Sequence, residues 1–120
     1  MQKKVSEIFS KPYGEENVCC EPSSDEIREA VRENNLEIRP FQAELPKLQA
    51  EWNQLQGQAR YDAIRKYHAE RVAFFVVKKW DNFPIILKTD GYEVKEGSHR
   101  LRAAKILRME TVEVEISGNA

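Results

Sequence analysis

Apolar residues recur along this chain with two different periods. Ile27, Ala30 and Val31 follow a Ser23-x-x-Glu26 capping box at helical spacing, and Asn34-Asn35, which tolerate a left-handed turn, close that short helix. Leu36 and Ile38 then alternate with polar residues up to Arg39-Pro40, which predicts a brief strand. Leu45, Leu48, Trp52, Leu55 and Ala59 recur at steps of three and four, the stripe of an amphipathic helix with Pro46 in its first turn, and Gly57 kinks or ends it. Tyr61, Ile64 and Tyr67 carry a second helical face towards Arg71. His68 lies beside that face and reads as a hydrogen-bonded structural residue rather than a ligand.

Beyond Arg71 the texture turns extended. Val72 to Val77 is rich in β-formers, Asp81-Asn82 leads into Pro84-Ile-Ile-Leu87, and Asp90-Gly91 leads into Tyr92-Glu-Val94, which predicts three meandering strands. Ser98 to Arg108 has helical composition, and Thr111 to Ile116 alternates as a half-buried closing strand. The first 22 residues contain Pro12, Gly14 and Pro22 without periodicity and read as an extended or partly ordered arm. The expected organisation is that arm, 1–22, followed by a single α+β domain, 23–120, with helices packed on a mixed sheet.

Composition narrows the function classes. At 120 residues and 41% hydrophobic positions the chain has material for one core, which excludes several domains and wholesale disorder. Its net charge of -1 advertises no global field for nucleic acid or anionic membranes. The balance is uneven: residues 1–56 carry seven Lys/Arg against eleven Asp/Glu, and residues 57–120 carry twelve against nine, which fits either an anion site in the second half or ordinary solvated helix faces. No apolar run approaches the roughly 18 residues of a membrane span and the polar start lacks a signal-peptide core, so a cytoplasmic protein with no membrane partner is expected. Cys19 and Cys20 are adjacent, which strains a disulfide, and read as reduced loop thiols.

Chemistry concentrates in Val94-Lys-Glu-Gly97-Ser98-His99-Arg100, a strand, then a glycine, then a helix start. Such a turn directs free backbone N–H groups and the positive end of the helix dipole at one point, a ready anion site. Gly97 lets a phosphate approach the backbone, Ser98 caps or donates its hydroxyl, His99 donates or titrates, and Arg100 can pair with phosphate oxygens in two places. On a helical wheel Ala103, Ala104, Ile106 and Leu107 form the face laid on the sheet, with His99 and Arg100 on the same side, while Leu101 falls off it. Arg102, Lys105 and Arg108 point outward as a basic face. The plainer alternative is that Ser98 only caps and that His99 and Arg100 pair with Glu96 or Glu93.

Pro84-Ile-Ile-Leu, Asp90-Gly-Tyr-Glu-Val and Glu96-Gly-Ser-His-Arg-Leu-Arg-Ala-Ala-Lys together resemble the ParB/sulfiredoxin superfamily, over about residues 36–116 and most strongly over 84–116. The resemblance implies a nucleotide-phosphate site at Gly97, Ser98, His99 and Arg100, with Lys47 matching the family's nucleotide-contacting lysine if a short gap is allowed. Sulfiredoxin's nucleophilic cysteine is replaced by Ser98, so sulfinic acid reductase activity is not expected. The helix-turn-helix domain that follows in chromosome-partitioning ParB proteins has no counterpart here, so centromere binding by this chain alone is not expected either. By resemblance to superfamily kinases and plasmid-encoded nucleases, Glu44 is the candidate acid-base residue, and its alternative is ordinary helix N-terminal charge.

The expected function is binding of a nucleoside triphosphate, ATP or CTP, accompanied by Mg²⁺, with hydrolysis or phosphotransfer left open. A DNA-binding or nuclease module using Arg102, Lys105 and Arg108 is the alternative of another class. The third is an inert protein-interaction domain, and an exposed sheet edge leaves room for a homodimer or a protein partner.

Overall fold

The computed structural model describes residues 1–10, 21–78 and 83–118. Among these, helices α1 (Ser24–Arg32), α2 (Phe41–Asn53), α3 (Gly57–Lys78) and α4 (Ser98–Ile106) combine with strands β1 (Gln2–Lys4), β2 (Ile85–Leu87), β3 (Val94–Glu96) and β4 (Thr111–Ile116) in a mixed α+β fold. The sheet order is β1-β4-β2-β3, with β4 parallel to β2 and the outer pairs antiparallel. A parallel pair needs a crossover, and α4 supplies it between β3 and β4.

Local chemistry sets several of these elements. The capping box forms: the Glu26 N–H donates to Ser23 Oγ, and the Ser23 N–H donates to Glu26 Oε1, each at 3.1 Å. Asn34 takes the left-handed turn after α1, with φ 56°. At the hairpin the Asp90 carboxylate accepts from the Tyr92 and Glu93 N–H groups at 2.8 and 3.0 Å, and Gly91 has φ 77°. The asparagine and Asp-Gly signals act through three or four neighbouring residues, which is why they are readable without tertiary information.

The arm is part of the domain as far as Ser10. β1 forms one edge of the sheet against β4, a 3-10 turn at Val5–Glu7 follows, and Phe9 then pairs beside β3 at the opposite edge. There the Phe9 N–H donates to the Tyr92 carbonyl at 2.9 Å, and the Val94 N–H donates to the Phe9 carbonyl at 2.8 Å. Val5 and Ile8 are buried under the sheet with Ile85, Leu87, Val94, Leu101, Val112 and Val114. Cys19, Cys20 and the Asp81-Asn82 turn lie outside the described residues.

Three expectations are corrected. Val72 to Val77 is not a strand but the last third of α3, where Ala69, Val72 and Phe75 pack against Ile27 of α1 and Ala103 of α4. A continuous apolar run suits a buried helix as well as a buried strand, and here the layer beneath it is helical. Leu36 and Ile38 form no strand. The Glu37 N–H donates instead to the Glu70 carbonyl at 3.0 Å on α3, and Ile38 is exposed. α2 begins at Phe41, so Pro46 is inside it rather than in its first turn, and α2 ends before Leu55, which with Ala59 leaves the predicted stripe. Phe41, packed with Leu45 against Leu48, Trp52 and Tyr67, anchors that earlier start.

α4 is covered on two sides rather than one. Leu101 and Ala104 face the sheet, Ala103 and Ile106 face α1 and α3, and Leu107, assigned to the buried face, is exposed. The sandwiching explains Leu101, which a one-sided wheel leaves out. Among the described residues no helix is long and apolar enough to cross a membrane.

Candidate functional site

β3 ends at Glu96 and α4 begins at Ser98, so a single residue turns the chain from sheet to helix. Gly97 makes that turn with φ 109°, and among the described residues no side chain caps the helix it opens. The first turns of α4 and α2 face each other across a cleft of about 650 Å³, within the roughly 300–1,000 Å³ range of small-molecule sites. Gly97, Ser98, His99 and Arg100 form one wall, Pro40 to Ala43 another, and His68, Arg71 and Phe75 of α3 also line it. The Gly-Ser-His-Arg turn expected to bind an anion is therefore at a concave surface, with all four residues present.

Two guanidiniums dominate its electrostatics. Arg71 is buried, donates from Nη1 to the Glu37 carbonyl at 3.1 Å, and lies 5.0 Å from the Phe74 ring centre and 4.6 Å from that of Phe75. Half-buried Arg100 donates from Nη1 to the Pro84 carbonyl at 3.2 Å, with Phe75 and Phe83 at 5.4 and 5.6 Å. Its Nε is shut off from solvent and has no hydrogen-bond partner among the described residues. Among the described residues neither guanidinium forms a salt bridge; each is held by a main-chain carbonyl and aromatic faces. Burial pulls both pKa values below the ordinary arginine value, and the charge of Arg100 acts on Arg71 in the same sense. Arginine stays cationic under such shifts, so the cleft holds two positive charges that water solvates poorly.

The neighbouring groups are accounted for differently from the plainer sequence alternative. His99 does not pair with a carboxylate: its Nε2 is 2.9 Å from Nδ1 of His68. The Glu93 carboxylate pairs with Lys88, and Glu96 acts on Arg100 through space. Ser98 is the first residue of α4 rather than its cap, and its hydroxyl is 2.9 Å from that of Ser10. The N-terminal stretch, expected as an arm apart from the domain, thus reaches the site.

Other candidates are not gathered there. Glu44 and Lys47 pair with each other at 3.6 Å on α2, outside the cleft lining, with Lys47 pointing to solvent. Arg102 does not point outward: Nη1 donates to Glu21 at 2.8 Å, and Nη2 donates to the Pro22 carbonyl and the Ser24 hydroxyl at 3.2 and 3.3 Å. It ties α4 to the start of α1, so the basic face retains only Lys105 and Arg108 as exposed members. Arg71, Phe41 and Phe75 were missed as site residues. Had Arg71 to Val77 been read as helix, His68, Arg71 and Phe75 would have fallen at steps of three and four on one stripe.

Among the described residues no group of three His, Cys, Asp or Glu side chains could hold a metal ion. No protein-family model, curated protein or solved structure matches the chain.

Proposed function

We propose that this chain is a domain of ParB/sulfiredoxin type that binds a nucleoside triphosphate, ATP or CTP, with its phosphates on the Gly97-Ser98-His99-Arg100 turn. The observation that carries the reading is the pair of cations, Arg71 and Arg100, held in one cleft beside the start of α4 with no salt bridge to either among the described residues. Poorly solvated guanidiniums gain most from a ligand that brings negative charge, and phosphate oxygens match their donor geometry. The positive end of the α4 dipole acts in the same direction. Mg²⁺ would travel on the phosphate oxygens and water, partly neutralising them. In this reading Lys47 and Glu44 take no part.

A thermal-shift panel of ATP, CTP, GTP and ADP with Mg²⁺, followed by calorimetry, tests the proposal. At least one triphosphate should raise the melting temperature, since ligand at 100 times its Kd adds about 2.7 kcal/mol. Arg100→Ala should weaken binding at least tenfold, and Lys47→Ala should leave it unchanged. A panel without any shift would overturn the nucleotide reading in favour of a protein-interaction domain. Salt-sensitive DNA binding lost on replacing Lys105 and Arg108 would instead favour the nucleic-acid module.

A further inference from the structure

Phe75 touches both cations of the cleft. The guanidinium carbon of Arg71 lies over its ring at 4.6 Å from the centre, and that of Arg100 lies over the same ring at 5.4 Å. Arg71 reaches it along α3, because residues four apart share a helix face, and Phe74, three residues on, offers Arg71 a second ring at 5.0 Å. Arg100 arrives from the first turn of α4, so the shared ring is where two helices bring their charges together.

The ring is fixed by the core, whereas neither guanidinium is fixed by a carboxylate among the described residues. Phe75 is 6% exposed and packs with Ile27, Ala69, Val72 and Ala103, the cluster that joins α3 to α1 and α4. Phe74 stands edge-on to it, with ring centres 5.3 Å apart and planes at 81°. A ring so packed moves only with the core, while an arginine side chain has several rotatable bonds and is free to turn away from a like charge. The two charges do act on each other: burial first, and the charge of Arg100 with it, pulls the Arg71 pKa down. Attraction of each cation to the electron-rich ring face, about 0.5–2 kcal/mol per contact, opposes that repulsion. The buried Nε of Arg100, which has no acceptor among the described residues, is a donor that a ligand oxygen would satisfy.

We propose that Phe75 is the positioning residue of the phosphate site: by holding the Arg71 and Arg100 guanidiniums on one ring it fixes their separation, so that the cleft prefers an anion with two closely linked phosphoryl groups over a single phosphate. The inference rests on the phosphate reading of the cleft. Each cation takes a different phosphoryl group of one ligand, and the second contact, being intramolecular, raises affinity without any further residue. Two arginines that moved independently would attract the same ligands by charge, but would not discriminate by the distance between the charged groups. Phe75 acts through the arginines and makes no polar contact of its own.

The test is calorimetry of the full chain with orthophosphate, pyrophosphate and a series of bisphosphonates of equal charge whose linker lengthens from one methylene to six. Pyrophosphate should bind at least about tenfold tighter than orthophosphate, and the shortest bisphosphonates at least about tenfold tighter than the longest. Phe75→Leu keeps both charges and an apolar core side chain, and it should shrink each ratio to within about threefold; Phe75→Tyr, which returns the ring, should restore them. A ring that served only the core would weaken both members of each pair alike, so ratios unchanged in Phe75→Leu overturn the inference. The linker series on the wild-type chain needs no variant: affinity independent of linker length overturns the fixed spacing whether or not Phe75→Leu folds, and leaves the phosphate site standing. Absence of binding with every probe removes the phosphate reading and this inference with it.

Discussion

A Cβ built on Gly97 would stand 3.3 Å from Cγ1 of Ile85 and 3.4 Å from its Cα. The close approach of this turn to β2, at φ 109°, is what sets the start of α4 over the end of the sheet. Gly97→Ala therefore combines left-handed strain with a tight contact to a fully buried side chain. The expected loss is about 1–3 kcal/mol of stability, read by denaturant unfolding, with weaker nucleotide binding because the first turn of α4 must shift. An unchanged unfolding midpoint would show that the turn does not depend on glycine.

Acid should destabilise the domain through His68. Its folded pKa, about 4, lies below the ordinary histidine value of 6.5, with burial as the cause. The unfolded chain therefore binds more protons between those values, and stability falls as pH drops through that window. The histidine contribution is present in full above pH 6.5, and about 3 kcal/mol of it is lost by the lower end. His68→Gln should reduce the dependence of melting temperature on pH between 6.5 and 4, leaving the part due to His99, whose pKa burial also lowers. A wild-type curve without slope in that interval would contradict the neutral buried imidazole.

Arg102→Ala should act on stability and leave the cleft alone. The side chain holds Glu21, the Pro22 carbonyl and the Ser24 hydroxyl together at the start of α1. Its loss should lower stability by about 1–2 kcal/mol while nucleotide affinity stays within twofold. A double-mutant cycle with Glu21→Gln separates the charge pair from the two other bonds. A tenfold loss of ligand affinity without loss of stability would instead place Arg102 in the site.

Leu101→Ala should cost about 2–5 kcal/mol, because the side chain is 1% exposed within the sheet cluster. Leu107→Ala, at 36% exposed, should cost well under half as much. Equal effects in chemical denaturation would contradict burial of α4 on two sides.

The sequence by itself determined the elements whose causes are local: the Ser23–Glu26 capping box, the Asp90-Gly91 hairpin, the strand-Gly97-helix turn and the alternating strand at Thr111–Ile116. Each depends on backbone geometry and hydrogen bonds within a few residues, so neighbours in sequence carry the whole signal. The Gly97–Arg100 turn was readable as a strand-to-helix junction for the same reason. Tertiary structure decided everything that required knowing what lies on the far side of an element. Val72–Val77 is helix because its neighbours are α1 and α4, and Leu101 is core because α4 has a sheet on one face and helices on the other. The same applies to the cleft. Arg71 meets Arg100 across Phe75, and His68 meets His99, although roughly thirty residues separate each pair in the chain. Arg102 turned from surface cation to clamp through Glu21, eighty-one residues away. Contacts across such separations come from packing the layers together, and no periodicity within a single helix records them.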